Sequence, residues 1–157
     1  MKTTNYTPCR NTIVGIALCS ILFAFSSLTG AHNVQIYLDD KIVVDHYVDS
    51  KTITPKILVD PAEKYGHLIV KYNECGRTVT GRTITIKSEE NKVLKVWRFE
   101  GSSSGFENPM QISVKEITSL KQKGTDSVNL FYSSNDFSQG QQIASLVLGG
   151  EATTAAK

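Results

Sequence analysis

The chain has 157 residues, 17 Lys plus Arg against 15 Asp plus Glu, 40% hydrophobic residues and three cysteines. That length fits one domain, and the composition excludes collagen-like, coiled-coil and disulfide-dense classes.

Residues 1–31 read as a secretory signal. Met1 to Asn11 is polar and carries Lys2 and Arg10 without an acid, Ile13 to Phe25 is apolar apart from Gly15 and Ser20, and small residues run to Ala31. Cleavage is expected after Ala31, with Thr29 and Ala31 in the small-residue positions. An uncleaved anchor is the rival reading, since Ile13 to Ala31 holds no charge, but its apolar core falls short of the ~20 residues that span a bilayer. A lipoprotein signal is disfavoured because Leu18, not a small residue, precedes Cys19.

Removing Lys2 and Arg10 leaves 15 charges of each sign in residues 32–157. A neutral domain has no general electrostatic reason to seek nucleic acid or an anionic membrane, so contact with a membrane is expected only during export. Charge is uneven along it: residues 32–60 hold 3 basic and 5 acidic groups, and residues 71–98 hold 7 and 3. Cys75 is then the sole remaining cysteine, which leaves no intramolecular disulfide, and a buried, inert thiol is expected.

Residues 32–149 are expected to form an all-β domain, an antiparallel β-sandwich of about eight short strands with one short helix near residues 113–123. Val plus Ile outnumber Leu by 22 to 8 there, and β-branched side chains favour a pleated surface. Val34, Ile36 and Leu38 alternate with polar neighbours before Asp39-Asp40-Lys41, and Ile42 to Val48 resumes the pattern as a hairpin. A three-residue loop sets Leu38 opposite Ile42 and Ile36 opposite Val44; a two-residue Asp39-Asp40 turn shifts that register by one.

Lys56 to Val59 is a short strand, and His67 to Tyr72 follows with Leu68, Val70 and Tyr72 on one face. Thr78 to Lys87 pairs with Val93 to Phe99. A Glu89-Glu90-Asn91 loop would set Ile86 opposite Leu94 and Ile84 opposite Val96, with Asn91 in a left-handed conformation. Trp97 and Phe99 then face outward beside Thr83 and Thr85. Residues 101–105 read as a flexible loop. A helix is expected from Val114 to about Lys123, with Ser113 and Glu116 at capping-box spacing and Gly124 past its end. Val128 to Tyr132 and Gln141 to Leu148 complete the strands, and residues 150–157 are expected to be a disordered tail.

The sequence carries no G-x-S-x-G, H-E-x-x-H, C-x-x-C or Gly-rich phosphate loop, so no enzymatic activity is expected. The acids Asp39, Asp40, Asp45 and Asp49 lack calcium-loop spacing and read as turn and strand-edge residues. Arg77 and Arg82 read as surface arginines on a bent strand rather than an anion clamp. Two site readings remain. Trp97 and Phe99, facing outward, could stack on a glycan or bury a partner protein's side chain; the favoured alternative is that the helix covers this face with Ile117 and Leu120, since a short amphipathic helix must bury its apolar side. Alternatively, cleavage makes His32 the first residue, and its amine and ring could bind copper with His46, while His67 lies on another polar strand face. That arrangement resembles the terminal-histidine copper sites of secreted copper-carrier and polysaccharide-oxidising proteins. The expected role is an exported, non-catalytic binding or structural module, periplasmic or secreted, with no cofactor; a periplasmic copper-binding protein is the alternative.

Overall fold

The computed structural model describes residues 32–48, 53–60, 63–104, 106–121 and 126–149. The expected signal, the expected tail, Asp49, Gly105 and Gly124 lie outside them. Eleven strands are described: β1 (His32–Leu38), β2 (Lys41–Val48), β3 (Lys56–Val59), β4 (His67–Asn73), β5 (Thr78–Val79), β6 (Arg82–Lys87), β7 (Val93–Phe99), β8 (Ser103–Ser104), β9 (Met110–Ser113), β10 (Ser127–Ser133) and β11 (Gln141–Leu148). One helix, α1 (Val114–Thr118), follows β9.

They form a β-sandwich. One sheet runs β2-β1-β4-β9, the other β3-β11-β10-β6-β7, and β5-β8 is a separate two-stranded ribbon. Alternating residues of both sheets, among them Val34, Ile36, Leu68, Val70, Ile84, Ile86, Leu130 and Leu146, merge into one core. The alternation that predicted β1, β4, β6 and β10 is the burial pattern itself: every second side chain is inside. The pairing is not wholly antiparallel, because β3 lies parallel to β11. No helix among the described residues is long and apolar enough to cross a membrane.

Three strands exceed the expected eight. The run Thr78 to Lys87 is broken at Gly81, which takes φ +63°. Asn135 clamps that kink, donating from its backbone N–H to the Thr80 carbonyl and from Nδ2 to Thr80 Oγ1, each at 3.0 Å. A methyl at Gly81 would come within 2.2 Å of Asn135 Oδ1. Gly81→Ala is therefore expected to lower stability by about 1–2 kcal/mol in chemical denaturation, the strain of a left-handed alanine with the clamp displaced. A change inside experimental error would show that the kink is not tied to this glycine. The Ser103-Ser104 pair, expected in a flexible loop, is instead β8 against β5, and Ser103 is buried with its hydroxyl donating to the Glu107 carbonyl. The third addition, β9, was too short to stand out.

Both hairpins whose register was predicted contain a bulge, as does the β10–β11 pair between Leu130 and Phe131. The first has a two-residue Asp39-Asp40 turn that pairs Leu38 with Lys41, yet an irregularity between Ile36 and Tyr37 restores Ile36 opposite Val44. The turn of one reading and the register of the other coexist, because the extra residue absorbs the shift. In the second hairpin Asn91 does take φ +63°. Lys87 pairs with Val93, but an irregularity between Ile86 and Lys87 then sets Ile86 opposite Lys95 and Ile84 opposite Trp97.

The helix is half its expected length. The Thr118 hydroxyl donates to the Lys115 carbonyl and the Ser119 hydroxyl to the Glu116 carbonyl, competing with the backbone for helix acceptors. Ser113 is the N-cap residue but makes no side-chain cap.

Candidate functional site

The bulge in β6–β7 decides where Trp97 and Phe99 go. Slipping a strand by one residue sends each side chain to the opposite face. Trp97 therefore lies on the side of Ile84, and Phe99 on the side of Arg82. Both rings are half-buried against the core, and Trp97 Nε1 donates to Glu116 of α1 at 2.9 Å. The expected outward orientation is corrected: the outer face of β7 presents Val96 and Arg98, opposite Thr85 and Thr83.

His32 opens β1, half-buried, with Nδ1 2.9 Å from the Tyr72 hydroxyl. That hydroxyl donates to the ring whenever Nδ1 carries no proton. The imidazole also meets the Tyr72 and Phe137 rings edge-on, with centroids 5.6 and 5.5 Å away. His46 pairs with Val34 and Val48 pairs with His32, so the two histidines are diagonal neighbours on one face, typically about 7–8 Å apart between backbones. The ring nitrogen best placed to chelate together with a terminal amine is the one that Tyr72 engages. Among the described residues, no group of three His, Cys, Asp or Glu side chains could hold a metal ion. His67 is remote from this pair, beside Asp39 at 3.7 Å.

From His32 an aromatic chain crosses the sandwich. Tyr72 of β4 stacks on Tyr132 of β10, with centroids 3.9 Å apart and planes 17° from parallel. The Tyr132 hydroxyl donates to the buried Glu74 carboxyl at 2.8 Å. Burial is the main force pushing both tyrosine hydroxyls well above their ordinary value of 10.0; the Glu74 charge adds to it at Tyr72, and the hydrogen bond to Glu74 adds to it at Tyr132. Nearby, Arg82 is only 4% exposed, contrary to the surface position expected. It keeps the inward phase of Ile84 and Ile86 on β6, Nη1 donates to the Asn108 carbonyl, and Nε is buried without a hydrogen-bond partner among the described residues.

Cys75 is exposed rather than buried. It follows β4 with φ 54°, ahead of Gly76 at φ 71°, and a left-handed turn of this kind holds its side chain away from the core. The early acids behave as turn and edge residues. Asp39 accepts from the Gly66 and His67 backbone N–H groups at 3.0 and 2.8 Å, and these bonds hold its carboxyl below the usual range. Asp45 accepts from Gln35 at 3.2 Å.

An open groove lies elsewhere among the described residues. Where β2, the edge of one sheet, approaches β3, the edge of the other, they leave a groove of about 330 Å³. Leu38, Ile42, Val43, Ile57, Leu58 and Tyr65 give it apolar walls, and Lys41, Lys56, Asp60 and Glu63 line it as well. Leu58 is 59% exposed and Ile42 47%, and Tyr47 further along β2 is 66% exposed. Sequence reading found each strand but not the groove, because β2 and β3 meet only through the packing of the two sheets. The one signal available was the Ile, Val and Leu content of two strands that both proved to be edges. No family model matches the chain, and no curated protein matches it.

Proposed function

We propose that the protein is an exported, non-catalytic binding module, periplasmic or secreted, and that its contact surface is the groove between β2 and β3. The observation that carries this reading is the coincidence of apolar exposure with open sheet edges. Among the described residues β2 pairs with β1 alone and β3 with β11 alone, and an edge strand presents a row of backbone donors and acceptors. An extended polypeptide can add to such an edge, with main-chain hydrogen bonds giving affinity and the pockets between alternate side chains giving selectivity. This chemistry favours a protein partner over a glycan, since the half-buried Trp97 and Phe99 leave no broad aromatic platform on β7. Support for export comes from residues 1–31.

Two measurements test the proposal. The intact mass of chain recovered outside the cytoplasm is expected to begin at His32; recovery of only uncleaved, cell-retained chain would overturn export. Amide NMR of that chain, titrated in parallel with a capped peptide of alternating Val and Thr and with cellohexaose, is expected to show peptide-induced shifts confined to β2 and β3. Shifts elsewhere, or with the oligosaccharide alone, would overturn the groove as the contact surface.

A further inference from the structure

The charge imbalance along the sequence becomes spatial once the strands are ordered. The basic stretch ends in β7, an edge strand carrying Lys95 and Arg98 with Lys92 just before it and no acid of its own. The acidic stretch supplies β2, the edge strand of the other sheet, with Asp45 on the strand and Asp39 and Asp40 in its turn against one base, Lys41; Asp40, Lys41 and Asp45 are exposed. The Trp97 to Glu116 hydrogen bond ties β7 to α1, which follows the β9 edge, whereas β2 closes over β3. The basic and acidic edges thus lie on opposite flanks of the sandwich. Each also exposes apolar side chains: Val93 and Val96 on β7, Ile42 and Tyr47 on β2.

We infer that the occupant of the β2 edge is β7 of a second copy of this chain, added antiparallel. This deepens the binding reading above and rests on it. One register satisfies charge, apolarity and pleat together. Arg98 set opposite Asp45 brings Val96 opposite Tyr47, and all four are outer-face residues, since they pair in their own sheets with Thr83, Gln35, Thr85 and Asn33. The same register sets Trp97 opposite His46 and Phe99 opposite Val44 on the inner side. Opposite charges and aromatic–β-branched pairs directly across a ladder are the stabilising cross-strand combinations. Pairing β7 with another β7 would instead gather Lys95 and Arg98 of both copies, and like charges suppress that pairing. Because the two patches differ, each added copy leaves one edge of each kind exposed, so the assembly is open-ended rather than a closed dimer.

Sedimentation velocity of the exported chain tests this. Species larger than monomer are expected to grow with concentration, and to recede as salt rises from about 0.1 M to about 1 M and the Debye length falls from ~10 to ~3 Å. Arg98→Asp and Asp45→Arg are each expected to weaken association by on the order of ten-fold, since each sets like charges across the ladder. Mixing the two variants restores assembly, because every β7–β2 contact between them is again complementary. Near-native circular dichroism of each variant alone separates lost association from lost folding. A wild-type chain that stays monomeric at every concentration, or assembly unchanged by both substitutions, would overturn self-addition. Peptide shifts confined to β2 and β3 in a chain that never self-associates would leave the binding reading standing while this inference falls.

Discussion

Raising the pH past about 10 is expected to destabilise this protein, through Tyr72 and Tyr132. Burial holds both hydroxyls protonated well above the ordinary tyrosine value of 10.0, and their side chains are almost fully enclosed, at 3% and 0% exposure. Below pH 10 the folded and unfolded chains both keep these protons, and the stability is intact. Above it the unfolded chain loses them while the folded chain does not, so each added pH unit favours unfolding until the folded hydroxyls ionise. One unit above the unfolded value this amounts to about 1.4 kcal/mol per tyrosine, or about 3 kcal/mol for the pair. Urea unfolding followed from about pH 8 upward, with tyrosinate absorbance recorded in parallel, would show the midpoint falling as two tyrosines titrate only on unfolding. Tyr72→Phe should remove about half of that dependence. A midpoint flat through pH 11, or tyrosinate absorbance rising fully before unfolding, would contradict it.

That pair also marks how far the sequence could be read. Tyr72 was legible as an inward residue, because Leu68, Val70 and Tyr72 keep strict alternation on β4, and β10 repeats the pattern at Val128, Leu130 and Tyr132. Their stacking was not legible, since it depends on which strands of two sheets face each other. Asn91 was readable as a left-handed turn residue because its side chain tolerates that conformation. The face of Trp97 was not, and the reason is specific. A bulge adds one residue without disturbing composition or local hydrophobicity, yet reverses every later side chain. Leu94, beside the slip, carries no Gly or Pro that would announce it. The groove escaped for a related reason: it is made by edges, and edge status belongs to the order of strands rather than to any one of them. Arg82 was misplaced on residue type: the alternation that puts Ile84 and Ile86 inside already carries Arg82 to the same face, and the kink at Gly81 shifts the phase only of Val79 before it.

Tyr132→Phe is expected to cost about 2–3 kcal/mol, far more than one exposed hydroxyl would, because the loss falls on Glu74. The substitution keeps the ring, and with it the stack on Tyr72 that bridges the two sheets. It removes only the donor 2.8 Å from the Glu74 carboxyl, which is 5% exposed as a residue and would be left in a low-dielectric site with that bond unmade. Glu74→Gln, which keeps an acceptor for the hydroxyl, should cost less. A double-mutant cycle with Tyr132→Phe and Glu74→Met separates the pair from its surroundings: taking away both groups should be milder than the sum of the single losses, since the penalty lies in stranding one partner. Equilibrium denaturation of the four proteins reads this directly. Additive losses, or a Tyr132→Phe cost below about 0.5 kcal/mol, would mean that the hydrogen bond is not what holds Glu74 inside. Because the stack joins β4 to β10 in the sandwich interior while contact is proposed at the β2 and β7 edges, such variants should lose stability without losing edge complementarity wherever they remain folded. Stability and association can then be varied independently in one chain.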